Sequence, residues 1–224
     1  MDSKKANCVL AYSGSLDAWQ PNTGKSFMQK VLSWFITYKH SSVDKSTRSA
    51  YYLIHAVAKL KNQKLIQVGD LSIQIWGSIH PLNIEQAKSE NVLEFFEFGT
   101  YLSKKESLQK LHQADALFLP LEKSASDTHR TLFIPGKLFE YLRADKIIFA
   151  LAEDSDCKDI LRKSGLAICS APDDVDEIAS NLYKLLKAEI KKQDLKIDYE
   201  YIQSFSMENK TAELSKVFDS LSVK

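Results

Sequence analysis

Six short apolar runs constrain the fold of this chain more than any other feature. They lie at Cys8 to Tyr12, Leu71 to Trp76, Val92 to Phe98, Ala114 to Leu119, Ile147 to Leu151 and Leu166 to Cys169, each bounded by glycine, proline or charge. Runs of this length suit parallel strands buried on both faces. Helical patterns separate them, over Ser26 to Tyr38, Ser46 to Lys61, Lys104 to Gln113, Gly136 to Arg143, Cys157 to Lys163, Val175 to Lys192 and Met207 to Leu221. Strands alternating with helices imply right-handed βαβ crossovers. The expectation is an α/β fold with a doubly wound, mostly parallel, six-stranded Rossmann-like sheet in the order 3-2-1-4-5-6. Two helical segments precede the second run, joined by the polar stretch His40 to Lys45, and we read the extra one as an insertion. No repeat, low-complexity tract or linker divides the chain, so residues 1–224 are expected to form a single domain with a closing helix over about 207–221.

Composition narrows the class. With 224 residues, 44% hydrophobic and 26% charged, the chain can build a large core. A formal net charge of +1 gives no electrostatic case for a nucleic-acid partner. Cys8, Cys157 and Cys169 are odd in number and lack CxxC spacing, which reads as reduced, mostly buried thiols in a cytoplasmic protein. The five histidines show no HxxxH spacing, and no metal site is expected. No apolar run approaches the roughly 20 residues of a membrane span, and Cys8 to Tyr12 is too short for a secretory core. The lysine cluster from Lys187 to Lys196 reads as a solvated helix end, with contact to an anionic membrane surface as the alternative.

The chemistry concentrates at Pro135-Gly136-Lys137-Leu138-Phe139-Glu140-Tyr141-Leu142. Proline suits a helix start and glycine admits a ligand to the backbone, so the free N–H groups of this helix mouth can meet a phosphate. One turn further in, Glu140 sets a carboxylate among apolar neighbours, where it can hold ribose hydroxyls; alternatively it pairs with Lys137 or Arg143. In a sheet of this kind the ligand lies beyond the carboxyl ends of the strands where their order reverses. That brings together the loop Ser13-Gly14-Ser15-Leu16, continuing to Gly24-Lys25, and the loop from Pro120 to Gly136.

The same segment resembles the donor-binding helix of family 4 glycosyltransferases, whose Pro-x-Lys-Leu-x-Glu-Tyr-Leu pattern leads into a short turn and a buried strand. The resemblance covers nearly the whole chain. Tyr12-Ser13-Gly14-Ser15-Leu16 is similar to the glycine turn opening the carboxyl-terminal half of these enzymes, Ile75-Trp76-Gly77 and Phe98-Gly99 to the ends of its second and third strands, and Ala114 to Pro120 to its fourth. The helix after Phe205-Ser206 resembles the closing helix, which in relatives crosses toward the amino-terminal domain.

By this resemblance Glu140 binds the ribose of a nucleotide sugar, Gly136 and Lys137 lie near its phosphates, and Gly14 and Ser15 border the diphosphate. Relatives carry an arginine just after the glycine turn and a lysine preceding a glycine; here Ser15 replaces the arginine, and Lys25 follows Gly24. Relatives also carry a second glutamate eight positions before the helix acid, where this chain has Leu132, so sugar contacts fall to Glu122, Asp127, Thr128 or Arg130. The resemblance implies a retaining, metal-independent transferase of GT-B type with a nucleoside diphosphate sugar as donor substrate and no cofactor, acting in cell-surface polysaccharide synthesis. It assigns no catalytic residue. The acceptor site of such enzymes lies on an amino-terminal domain, which we expect to be missing from this chain, leaving the isolated domain inactive. Peripheral membrane contact is then expected of the full-length enzyme. Other readings are half of a sugar nucleotide epimerase and a non-catalytic nucleotide-binding or scaffolding module.

Overall fold

A computed structural model describes residues 7–18, 43–44, 47–124 and 130–222. Among these the elements are β1 (Cys8–Ser13), β2 (Val43–Asp44), α1 (Tyr51–Asn62), β3 (Leu71–Trp76), α2 (Pro81–Ser89), β4 (Phe96–Gly99), α3 (Lys104–Gln113), β5 (Ala116–Pro120), β6 (Lys123–Ser124), α4 (Gly136–Ala144), β7 (Ile147–Leu151), α5 (Asp156–Ser164), β8 (Ala167–Ser170), α6 (Val175–Leu186), α7 (Tyr199–Gln203) and α8 (Met207–Ser222). Six strands form a parallel sheet ordered β4-β3-β1-β5-β7-β8. Counted along the chain this is 3-2-1-4-5-6, with the order reversing between β1 and β5. Strands β2 and β6 pair separately as a two-stranded antiparallel ribbon.

Each central strand is apolar on both faces because helices cover both. Phe118 of β5 and Phe149 and Leu151 of β7 face α1 and α6, through Leu53, Ile54, Val57, Ile178 and Leu182. Their alternates Leu117, Leu119, Ile148 and Ala150 face α3, α4 and α5, through Leu111, Leu138, Leu142 and Leu161. Period-two alternation therefore sorts one continuous apolar run into two cores.

Several element bounds differ from expectation. Helix α1 starts at Tyr51, not near Ser46, because residues 47–50 are spent on the site described below. The third strand begins at Phe96, since Leu93–Phe95 make a 3-10 turn. Helix α6 ends at Leu186, short of Lys192. Helix α2 escapes the periodicity: only Asn83 and Ala87 are buried in it, and its start is fixed by His80, whose side chain accepts from Leu82 N–H, and by Pro81. The expected helix Ser26 to Tyr38 lies outside the described residues. No helix among the described residues is long and apolar enough to cross a membrane.

Candidate functional site

At the reversal of strand order, the loops after β1 and β5 meet the mouth of α4 in a pocket of about 310 Å³, lined by Tyr12, Gly14, Ser15, Arg48, Leu119 to Glu122, Phe133, Pro135, Gly136 and Lys137. The first wall is the glycine turn. Gly14 N–H donates to the Trp76 carbonyl at 2.8 Å, carrying β1 past the end of β3. Gly77, at φ +129°, presses its α-carbon on the Gly14 backbone so closely that a Cβ would collide with the Gly14 carbonyl. A Cβ on Gly14 itself would run into Lys137 Nζ. Gly77 is thus required by the close backbone approach and Gly14 by its φ of +156°, since the Lys137 ammonium could move aside. Tyr12 closes it from below, its hydroxyl donating to the Ser15 carbonyl at 2.7 Å.

The second wall is the start of α4. Its N-cap is Pro135, which offers no side-chain acceptor; Leu138 N–H donates to the Pro135 carbonyl at 3.0 Å, and Gly136 and Lys137, whose amides lack an intrahelical acceptor, line the pocket. Lys137 folds back over the sheet, its ammonium 4.7 Å from the Tyr12 ring centroid and 6.0 Å from that of Tyr141. Burial pulls its pKa down to about 8; Arg48 and Lys104 push the same way and Glu140 opposes them. The lysine is therefore a cation short of a counter-charge.

Arg48 supplies the third wall, and sequence reasoning does not find it. Asn83 of α2 fixes its position: the amide accepts from Ala50 N–H at 2.9 Å and donates to the Asp17 carbonyl at 3.0 Å, while Asp17 N–H donates to the Arg48 carbonyl at 2.9 Å. Thr47 adds a bond to the Leu121 carbonyl at 2.9 Å. The guanidinium reaches Glu122 at 3.0 Å and the Ser15 hydroxyl at 2.7 Å. A cation thus stands beside Ser15, supplied from three residues before α1. Its signal in the sequence is a basic residue followed by the small pair Ser49-Ala50 before an apolar-periodic helix.

The remaining predicted residues are distributed as follows. Gly14, Ser15, Gly136, Lys137 and Glu122 all line the pocket. Glu140 sits one turn into α4, half-exposed, in an ion pair with Lys104 of α3 and not with Lys137 or Arg143. Leu132 is 73% exposed and Phe133 is 47% exposed at the pocket wall. Arg130 is occupied by Asp154, Asp156 and Asp159 around the first turn of α5, which raises its pKa, Asp159 contributing most, and it is not among the pocket-lining residues. Lys25, Asp127 and Thr128 lie outside the described residues. The loop that carries Glu122 and Phe133 is tied to the frame by Glu153, whose carboxylate accepts from Ser124 N–H and, at 2.6 Å, from the Thr131 hydroxyl.

This architecture matches the carboxyl-terminal half of GT-B glycosyltransferases. A glycosyltransferase from Rickettsia africae ESF-5 superposes with a TM-score of 0.61 at 12% identity, over 99% of this chain and 49% of that one. The apo form of the lipopolysaccharide outer core galactosyltransferase WaaB gives 0.59 at 13% identity, over 98% and 51%. The pneumococcal O-GlcNAc transferase GtfA, solved with UDP and GlcNAc, gives 0.55 at 12% identity, over 100% and 39%. The chain spans about half the length of these proteins or less. No protein-family model and no curated protein matches the sequence.

Proposed function

We propose that this chain is the donor-binding domain of a glycosyltransferase that moves a sugar from a nucleoside diphosphate sugar to a glycan acceptor. The observation that carries the reading is the convergence of Arg48, Lys137 and the uncapped amides of α4 on one pocket at the switch point of the sheet. Two cations and a helix mouth make a seat for a diphosphate, neutralising its charge without a metal or cofactor. Glu140, one turn along the same helix, would accept both ribose hydroxyls, with Lys104 beside it as counter-ion. The donor sugar would extend toward Glu122 and Phe133.

Departure of the diphosphate leaves developing negative charge on its outer phosphate. Lys137 and Arg48 would hold that charge, and no general acid is required at the leaving group. Transfer with retention, an acceptor site on an amino-terminal domain and work in cell-surface polysaccharide assembly at the inner face of a membrane belong to the same proposal. The half-length match to GT-B chains supports the two-domain part of it. Calorimetry with UDP and GDP tests the reading. One of them should bind at micromolar to millimolar strength, and Glu140→Gln should weaken it by about 1–3 kcal/mol, the scale of a hydrogen bond to a charged group. Undiminished affinity in the variant would return Glu140 to a structural ion pair.

A further inference from the structure

Glu122 stands out among the pocket residues because it carries the wrong charge for an anion site. It is 9% exposed, its carboxylate is held by Arg48 Nη1 at 3.0 Å, and the other terminal nitrogen of the same guanidinium donates to Ser15 at 2.7 Å. Asp17, 3.7 Å from Nε, is the only further acid paired with this guanidinium among the described residues. A carboxylate this buried needs a cation, and a guanidinium has a limited set of donor edges. A diphosphate entering the pocket brings more charge and the same forked geometry, so it competes with Glu122 for Arg48.

We propose that Glu122 is a built-in stand-in for the ligand's phosphate, displaced from Arg48 when a nucleoside diphosphate sugar binds. Released inside a pocket of low exposure, the carboxylate takes hydroxyl donors from the donor sugar in exchange for the arginine. Glu122 therefore has opposite effects on the two parts of one ligand: it weakens the hold on bare diphosphate and strengthens the hold on the attached sugar. The inference rests on the nucleotide-sugar reading above and adds a specificity-determining residue to it.

The experiment is a binding comparison of the unaltered chain with Glu122→Gln, using inorganic pyrophosphate, UDP and UDP-glucose, or GDP and GDP-mannose if the guanine nucleotide is the one that binds. Removing one nearby negative charge should tighten pyrophosphate and the bare nucleotide about fivefold. The ratio of sugar nucleotide to bare nucleotide affinity should fall in the same variant. An acid of purely structural importance would weaken all three ligands together, so equal or poorer binding of pyrophosphate overturns the proposal. The gain should shrink when Glu122→Gln is made in an Arg48→Gln background, where only direct repulsion is relieved; an undiminished gain there would also overturn it, since the effect would not pass through the pair. Should Glu122→Gln not fold, carbon NMR of the labelled carboxylate in the unaltered chain replaces it, and a Glu122 resonance unmoved by pyrophosphate overturns the displacement. An unaltered chain that binds none of these ligands refutes the nucleotide reading itself, a result distinct from normal binding with an unimproved variant.

Discussion

Lys137 gives the most searching test of the anion seat, because one group controls two measurable slopes of opposite sign. Its pKa is drawn down to about 8 chiefly by burial, against 10.5 for a free lysine. At about pH 7 roughly nine-tenths of the empty sites carry the ammonium, and at about pH 9.5 only about 3% do, while the ligand phosphates stay ionised throughout. If only the protonated form seats a diphosphate, affinity should fall about 30-fold across that interval. Folding runs the other way. The unfolded chain holds the lysine proton up to the higher pKa, so it binds more protons between about pH 8 and 10.5, and stability contributed by this residue rises with pH there. Lys137→Met should abolish the affinity slope, remove this residue's share of the stability slope while leaving the opposite share of the buried thiols, and weaken binding at about pH 7 by roughly 1.5–3 kcal/mol. Calorimetric titration of UDP across this range, with urea unfolding at the same pH values, measures both. Affinity that stays flat to about pH 9.5 in the unaltered chain would mean that Lys137 does not meet the ligand's charge.

Further outcomes follow from the same structure. Gly77→Ala should destabilise the fold by about 1–3 kcal/mol, measured by urea denaturation, because its Cβ would strike the Gly14 carbonyl and its φ is +129°. The purified chain should transfer no sugar to an added glycan acceptor, and robust transfer in a product assay would replace the two-domain proposal with a complete small transferase. Met207, Leu214, Val217 and Leu221 of α8 are more than half exposed, so sedimentation should show self-association rising with concentration and lost when these residues are made polar; a strict monomer at all concentrations would refute it. Burial lifts the Cys8 and Cys157 thiols to about 12 and Cys169 to about 11, so Ellman's reagent at about pH 8 should react with all three only slowly until the chain is denatured.

The sheet is legible in the sequence because fully buried strands leave a clear signature: Ile147 to Leu151 has no polar residue, with Lys146 before it and, past Ala152, Glu153 and Asp154 after it. Strand order follows from crossover handedness, which no side chain needs to encode. Helix α2 is not legible, since Asn83 and Ala87 are too few to make a periodic face. The same helix is what sets Arg48 in place, so the error in the fold and the omission at the site have one origin. Glu140 was equally opaque in its pairing. Its partner Lys104 is 36 positions away on α3, and neighbours one turn along α4 gave no hint of it. Phe205, just after α7, packs 5.3 Å from Phe139 and 5.1 Å from Tyr201, ring centroid to ring centroid, a contact that no local pattern announces.

The double grip of Glu153 also bears on how such a pocket can diversify. Ser124 and Thr131 meet on one carboxylate, so the two stems of the intervening segment are closed at their base independently of what lies between them. Arg130, clasped by three aspartates, fastens the second stem again. Once closure is provided from outside a segment, lengthening it carries little entropic penalty, about 0.6 kcal/mol for each doubling. Residues 125–129 can then be exchanged, shortened or extended while Glu122 on one side and Phe133 on the other keep their stations. A lineage carrying this frame could vary that segment without rebuilding the pocket walls made by Arg48, Lys137 and the glycine turn.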